Sequence, residues 1–204
     1  MITYPLVVPS MTEIRSLTLR RRVVAAASQS PFTFARQVYL WPGDRWEAEV
    51  SLVPMKRARF DAWNAFLLSL DGPVGTFLMG DPQAPLPRGS AATNAGAPLV
   101  NGGAQVGEDL VVDGLPAGAV NYLRAGDKVQ INGRLHMITT DVSANGSGMA
   151  TFNLRPRLRT PPPDNAPLTV ANPVGVWSLV AAEHHWTVDA TGLANLTFAV
   201  VEPL

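Results

Sequence analysis

The sequence predicts a mostly β protein with a single helix, and three features carry that expectation. Trp46, Ala48, Val50 and Leu52 alternate with Glu47, Glu49 and Ser51, the period-two pattern of a strand with one buried face. Asn132-Gly133 separates Lys128-Val129-Gln130-Ile131 from Arg134-Leu135-His136-Met137-Ile138, and Asn-Gly supplies the two positive φ angles of a type I′ hairpin turn. Only the stretch from Pro54 to Leu70 carries helical periodicity.

Taken in order, residues 14–53 read as strands. Ile14, Leu17, Leu19 and Val23-Val24 form one loosely alternating segment, and Phe32, Phe34, Val38 and Leu40 a second. Pro42-Gly43-Asp44-Arg45 then reads as the hairpin connection to the strand at Trp46, because Pro and Gly fix its backbone. Pro54 suits a first helical turn. Ala58, Ala62, Trp63, Phe66, Leu67 and Leu70 recur at three- and four-residue spacing, which predicts an apolar stripe on a helix Met55–Leu70. Asp71-Gly72-Pro73 ends it. Thr76 to Met79 is a short strand.

Residues 81–103 are rich in Pro and Gly among small residues, the composition of a linker. Beyond it come strands at Leu110-Val111-Val112, the Asn132-Gly133 hairpin, Ala150 to Leu154, and Leu168 to Val170 after Pro161-Pro162-Pro163. From Asn172-Pro173 the longer strands return, at Val176 to Val180, Trp186 to Val188 and Leu196 to Val201. Pro/Gly-rich borders are where domain boundaries fall. The chain therefore divides into a unit made of residues 1–88 and 173–204, and a second β unit, 89–172, inserted in it.

Composition narrows the function. Hydrophobic residues make up 47% and charged residues 16%, with 16 basic against 16 acidic side chains. A charged share well under the usual ~25% and zero net charge weaken the repulsion that keeps monomers apart. They also give no general attraction for nucleic acid. The absence of cysteine rules out disulfides, thiolate metal sites and cysteine nucleophiles. Met1 to Pro5 lacks the pattern of a signal peptide, and no apolar run approaches the ~20 residues of a membrane helix.

No catalytic, cofactor-binding or metal-binding residue is expected. Glu183-His184-His185 offers adjacent imidazoles, but neighbouring strand residues point to opposite faces, and His136 stands apart from them. Ser147 lies between glycines in a turn, not in a strand-to-helix elbow. Glu47 and Glu49, with Asp44 nearby, suggest paired carboxylates; alternation explains them as the solvent face of a strand. The run Arg20-Arg21-Arg22 and the period-two set Arg155, Arg157 and Arg159 fit solvated faces or ion pairs to another subunit better than nucleic acid.

Several stretches, in this order, have a familiar look. They are Trp46-Glu47-Ala48-Glu49-Val50, Pro54-Met55-Lys56-Arg57-Ala58, Ala62-Trp63 and Phe66-Leu67-Leu68-Ser69-Leu70. Gly75-Thr76-Phe77-Leu78-Met79-Gly80-Asp81-Pro82 and Leu123-Arg124-Ala125-Gly126-Asp127-Lys128 follow. Asp164-Asn165-Ala166-Pro167-Leu168, Asn172-Pro173-Val174-Gly175 and Trp186-Thr187-Val188-Asp189 close the series. Together they resemble the distal tail proteins of long, flexible-tailed bacteriophages and prophages. The resemblance implies a tail-tube-like β-sandwich or barrel, residues 1–88 and 173–204, with one flanking helix and an inserted small β-barrel-like peripheral domain, 89–172. It implies a homohexameric ring in the virion, assembled in the bacterial host cytoplasm, that joins the tail tube protein to the tail-tip hub. Tail fibres or receptor-binding proteins are further partners; membranes and sequence-specific nucleic acid are not. The competing readings are a glycan- or receptor-binding module and a glycan-acting enzyme using Glu47 or Glu49. The inserted block holds only Tyr122 and Phe152 as aromatics, thin material for a sugar platform.

Overall fold

A computed structural model describes residues 2–183, 185–188 and 192–203. Its strands are β1 (Leu6–Val7), β2 (Ile14–Gln29), β3 (Arg36–Leu52), β4 (Met55–Lys56), β5 (Thr76–Gly80), β6 (Leu99–Val100), β7 (Gly107–Asp113) and β8 (Lys128–Ile131). They continue as β9 (Arg134–Ile138), β10 (Ala150–Leu158), β11 (Leu168–Thr169), β12 (Val174–Leu179), β13 (Thr187–Val188), β14 (Leu193–Asn195) and β15 (Thr197–Val201). The one α-helix, α1, spans Arg57–Leu68. The protein is mostly β with one helix, as its patterning predicts.

Three sheets result. One has the order β1-β5-β12-β15-β3-β2, the second β11-β8-β9-β10-β7-β6, and a small third β13-β14-β4. The ends of the second sheet meet. A bridge pairs Leu99 with Pro167, Leu168 N–H donates to the Pro98 carbonyl at 3.0 Å and Val100 N–H to that of Ala166 at 3.0 Å. This nearly closes the sheet into a small barrel, which leaves little of its edge unpaired.

Buried apolar side chains fall into two clusters. The first joins Trp46, Val50, Leu52, Phe77, Met79, Trp177, Phe198 and Val200 of the first sheet to Phe60, Trp63, Phe66 and Leu67 of α1. Phe66 meets Phe77 edge-on at 5.4 Å and Trp63 at 5.8 Å, the geometry that aromatic quadrupoles favour. The second cluster fills the barrel with Val100, Leu110, Val112, Tyr122, Leu123, Val129, Phe152 and Leu154 among others. Leu135, in the β8–β9 hairpin, packs into the first cluster instead.

That hairpin docks the barrel against the first sheet. Trp46 Nε1 donates to the Leu135 carbonyl at 2.9 Å, Val176 N–H to Gly133 at 3.1 Å, and Arg134 pairs with Glu202 at 3.1 Å. Lys128 reaches Asp81 at 2.6 Å. Leu135 and Met137 add apolar packing against the first core to these polar contacts.

Three local expectations are corrected. The helical stripe is Phe60, Trp63, Phe66 and Leu67 with Leu70 just beyond, while Ala58 and Ala62 are exposed. The stripe follows the bulky side chains, because a ring buries far more apolar area than a methyl group. Met55–Lys56 belong to β4, held by β14, so the helix starts two residues later than the pattern suggested. The turn expected at Pro42-Gly43-Asp44-Arg45 lies inside β3. The chain reverses instead at residues 30–35, where the Ser30 hydroxyl accepts from Phe32 N–H and Thr33 N–H and Phe34 takes a left-handed φ of 57°. At Pro42-Gly43 the register shifts between the pairs Val23–Asp44 and Ala25–Leu40, leaving more residues on β3 than on β2. Glycine gives this bulge room, since a Cβ on Gly43 would lie 2.6 Å from Val24 Cγ2 and force that side chain to move.

Candidate assembly interface

The hairpin of β2 and β3 has two halves of different character. Its root, from Ile14 to Arg22 and from Asp44 to Leu52, is part of the first sheet, and Asp44, Trp46, Ala48, Val50 and Leu52 point into the protein. Its outer half, from Val23 to Leu40, is exposed at every residue but Ser30. Seven residues of strand on the β2 side carry this arm roughly 20 Å outward.

The arm is apolar. Ala25 pairs with Leu40 and Ala27 with Val38, which sets those four on one face; Ala26 and Tyr39 share the other. Phe32 at the tip is 92% exposed, Phe34 73% and Tyr39 63%. Val23, Val24, Val38, Leu40 and Trp41 are exposed with them. Single exposed apolar residues are ordinary, but a contiguous patch of this kind marks an interaction surface. A two-stranded ribbon is also marginal alone in water. β2 is moreover the last strand of its sheet. Its outer edge pairs with no strand among the described residues, leaving backbone donors and acceptors along much of 16 residues free to template another strand.

Arginines gather at the arm's root. Arg21 grips Asp44 with both Nε and a terminal nitrogen, at 2.8 and 2.9 Å, and Arg157 N–H donates to the same carboxylate at 3.1 Å. Asp44 is 2% exposed, so this is a desolvated carboxylate with each oxygen satisfied. Glu47 lies between Arg45 at 2.9 Å and Arg22 at 3.5 Å. Glu49, two residues on, is exposed. Of the period-two set, Arg155 and Arg157 both clasp Glu108, at 2.6 and 3.2 Å, while Arg159 makes no hydrogen bond or ion pair among the described residues. The sequence left this set facing either solvent or a partner chain's carboxylates; two of its members find a carboxylate within the chain.

His136 is 2% exposed, and its Nδ1 lies 2.7 Å from the Pro156 carbonyl. Nδ1 therefore carries the proton, and Nε2 is buried without a partner. Burial pushes its pKa from 6.5 down to about 4, so the ring is neutral. His185 is exposed, and His184 lies outside the described residues. Ser147 sits in the turn after Asn145, whose side chain accepts its N–H at 2.9 Å. No group of three His, Asp or Glu side chains is placed to hold a metal ion among the described residues.

The arm escaped sequence reasoning because exposed Phe32 and Phe34 carry the same apolar signal as a core strand. No protein-family model matches the chain and no curated protein matches it.

Proposed function

We propose that this chain is a non-enzymatic structural protein of a bacteriophage tail tip, a ring-forming subunit that joins the tail tube to the tip complex. The observation that carries the reading is the β2–β3 arm, a ribbon with exposed apolar residues on both faces and an unpaired edge. An isolated subunit leaves that surface in water; a neighbour covers it. Closed cyclic symmetry does this for every subunit at once, using two different patches per copy. The resemblance supplies the number six, the tail location and the neighbours: tail tube protein on one side, tip hub on the other, fibres or receptor-binding proteins at the periphery.

The competing readings find less to stand on. Tyr122 and Phe152, the aromatics of the inserted barrel, are buried in its core with rings 6.3 Å apart, so neither offers a stacking face to a sugar. Glu47 is engaged by two arginines, which leaves Glu49 without the second carboxylate that glycoside hydrolysis uses. The test is particle size: the purified chain at micromolar concentration is expected to sediment as a closed ring, and a strict monomer at every concentration would reject the proposal.

A further inference from the structure

Arg22 and Arg45 are register partners across the β2–β3 ribbon. Like charges placed directly opposite on a sheet repel. Their shared counter-ion is Glu47, one carboxylate for two guanidinium groups. A third guanidinium arrives from just past β10: Arg159 lines the same recess, as do Gly43 and Val24. Its Nε is buried without an acceptor. Asp44 also borders the recess, but Arg21 and the Arg157 N–H already occupy it. Glu202, the other acid that acts on Arg159, is bound to Arg134 and the Trp46 N–H. Three arginines thus converge on an open recess of about 250 Å³ with less negative charge than they can accept.

We infer that the recess at the root of the arm, lined by Arg22, Arg45 and Arg159, is an oxyanion-binding site that takes a phosphate or carboxylate group. Guanidinium forks bind such groups through paired, charge-assisted hydrogen bonds, and an anion here would relieve the Arg22–Arg45 repulsion and give the Arg159 guanidinium a counter-ion. Two sources share this chemistry, a free anion and an acidic side chain of a second copy. Binding itself does not depend on ring formation.

The test titrates the full chain, dilute, with sodium phosphate and separately with sodium acetate against sodium chloride at matched ionic strength, following thermal midpoint and binding heat. Phosphate is expected to raise the midpoint progressively. Arg159→Met is expected to weaken binding roughly tenfold or more, the loss of one charged hydrogen-bonding partner. Arg22→Met, at a more exposed position, repeats the test should Arg159→Met disturb folding. Arg57→Met, at an exposed helical position, should bind as the wild type does. If a neighbour's carboxylate is the natural occupant, phosphate also dissociates the assembled form and Arg159→Met assembles less. If a free anion is, phosphate leaves assembly intact. Absence of any shift with phosphate or acetate beyond that with chloride would overturn the inference, as would shifts that persist undiminished in both arginine variants.

Discussion

Trp63 ties three parts of the first unit together. It is completely buried, packs against Phe66 of its own helix and Phe198 of β15, and donates from Nε1 to Glu13 at 2.6 Å. Trp63→Ala is expected to cost roughly 3–5 kcal/mol, the range for deleting a large buried ring, with a further penalty for leaving Glu13 without this donor. Urea denaturation measures it; a loss under about 1 kcal/mol would mean the helix face is not seated as described. At His136 the readout is pH. Its folded pKa lies below the unfolded one. The unfolded chain therefore takes up this proton first, and the contribution to stability is complete above about 6.5, falls as pH drops and levels off below about 4. Its size is about 3 kcal/mol. Glu202 works the other way, since burial raises its carboxyl pKa and acidification then favours the fold. The clean measurement is a difference. The gap in unfolding free energy between wild type and His136→Gln should narrow by about 3 kcal/mol from neutral pH to pH 4, and a constant gap would contradict the assignment.

At the scale of elements, the hairpins show which sequence signals can be trusted. Asn132 and Gly133 have φ of 50° and 77°, and the turn falls where Asn-Gly demands it because that chemistry is local. The β2–β3 hairpin misleads for the same reason. Pro42-Gly43 looks like a turn, but its glycine serves a bulge against Val24, and the true reversal depends on Ser30 accepting two backbone N–H groups. Helix α1 was legible from its bulky residues, while its alanines mimicked a stripe they do not share. The arginine site was half legible. The run at 20–22 is visible in sequence, yet opposing Arg22 to Arg45 depends on register, and bringing Arg159 beside them depends on the fold of the inserted unit. The arm yields a prediction of its own. With few packing partners, its amides from 24 to 40 should exchange hydrogen far faster in the isolated chain than those of Arg45–Leu52. Assembly should slow the arm selectively. Arm amides equally protected in dilute and assembled samples would mean that the surface is not covered by a neighbour.

On the scale of the molecule, two cores joined along one seam support one exposed, apolar arm. Leu135 and the bond from Trp46 to its carbonyl fix the barrel to the first sheet, and Arg134–Glu202 and Lys128–Asp81 fix its orientation. The arm root lies beside this seam, where Asp44 of β3 receives the Arg157 N–H of β10. Zero net charge removes a barrier to association, and the arm gives the contact its place. If the arm closes a ring, analytical ultracentrifugation of the wild-type chain beside Phe32→Ser/Phe34→Ser will show it. Both substitutions fall on exposed tip residues, so folding stability should stay within ~0.5 kcal/mol of wild type. A concentration-dependent ring, expected to be six-fold, is predicted for the wild type and a monomer for the double variant. A wild type that stays monomeric, or a variant that assembles equally well, would contradict it.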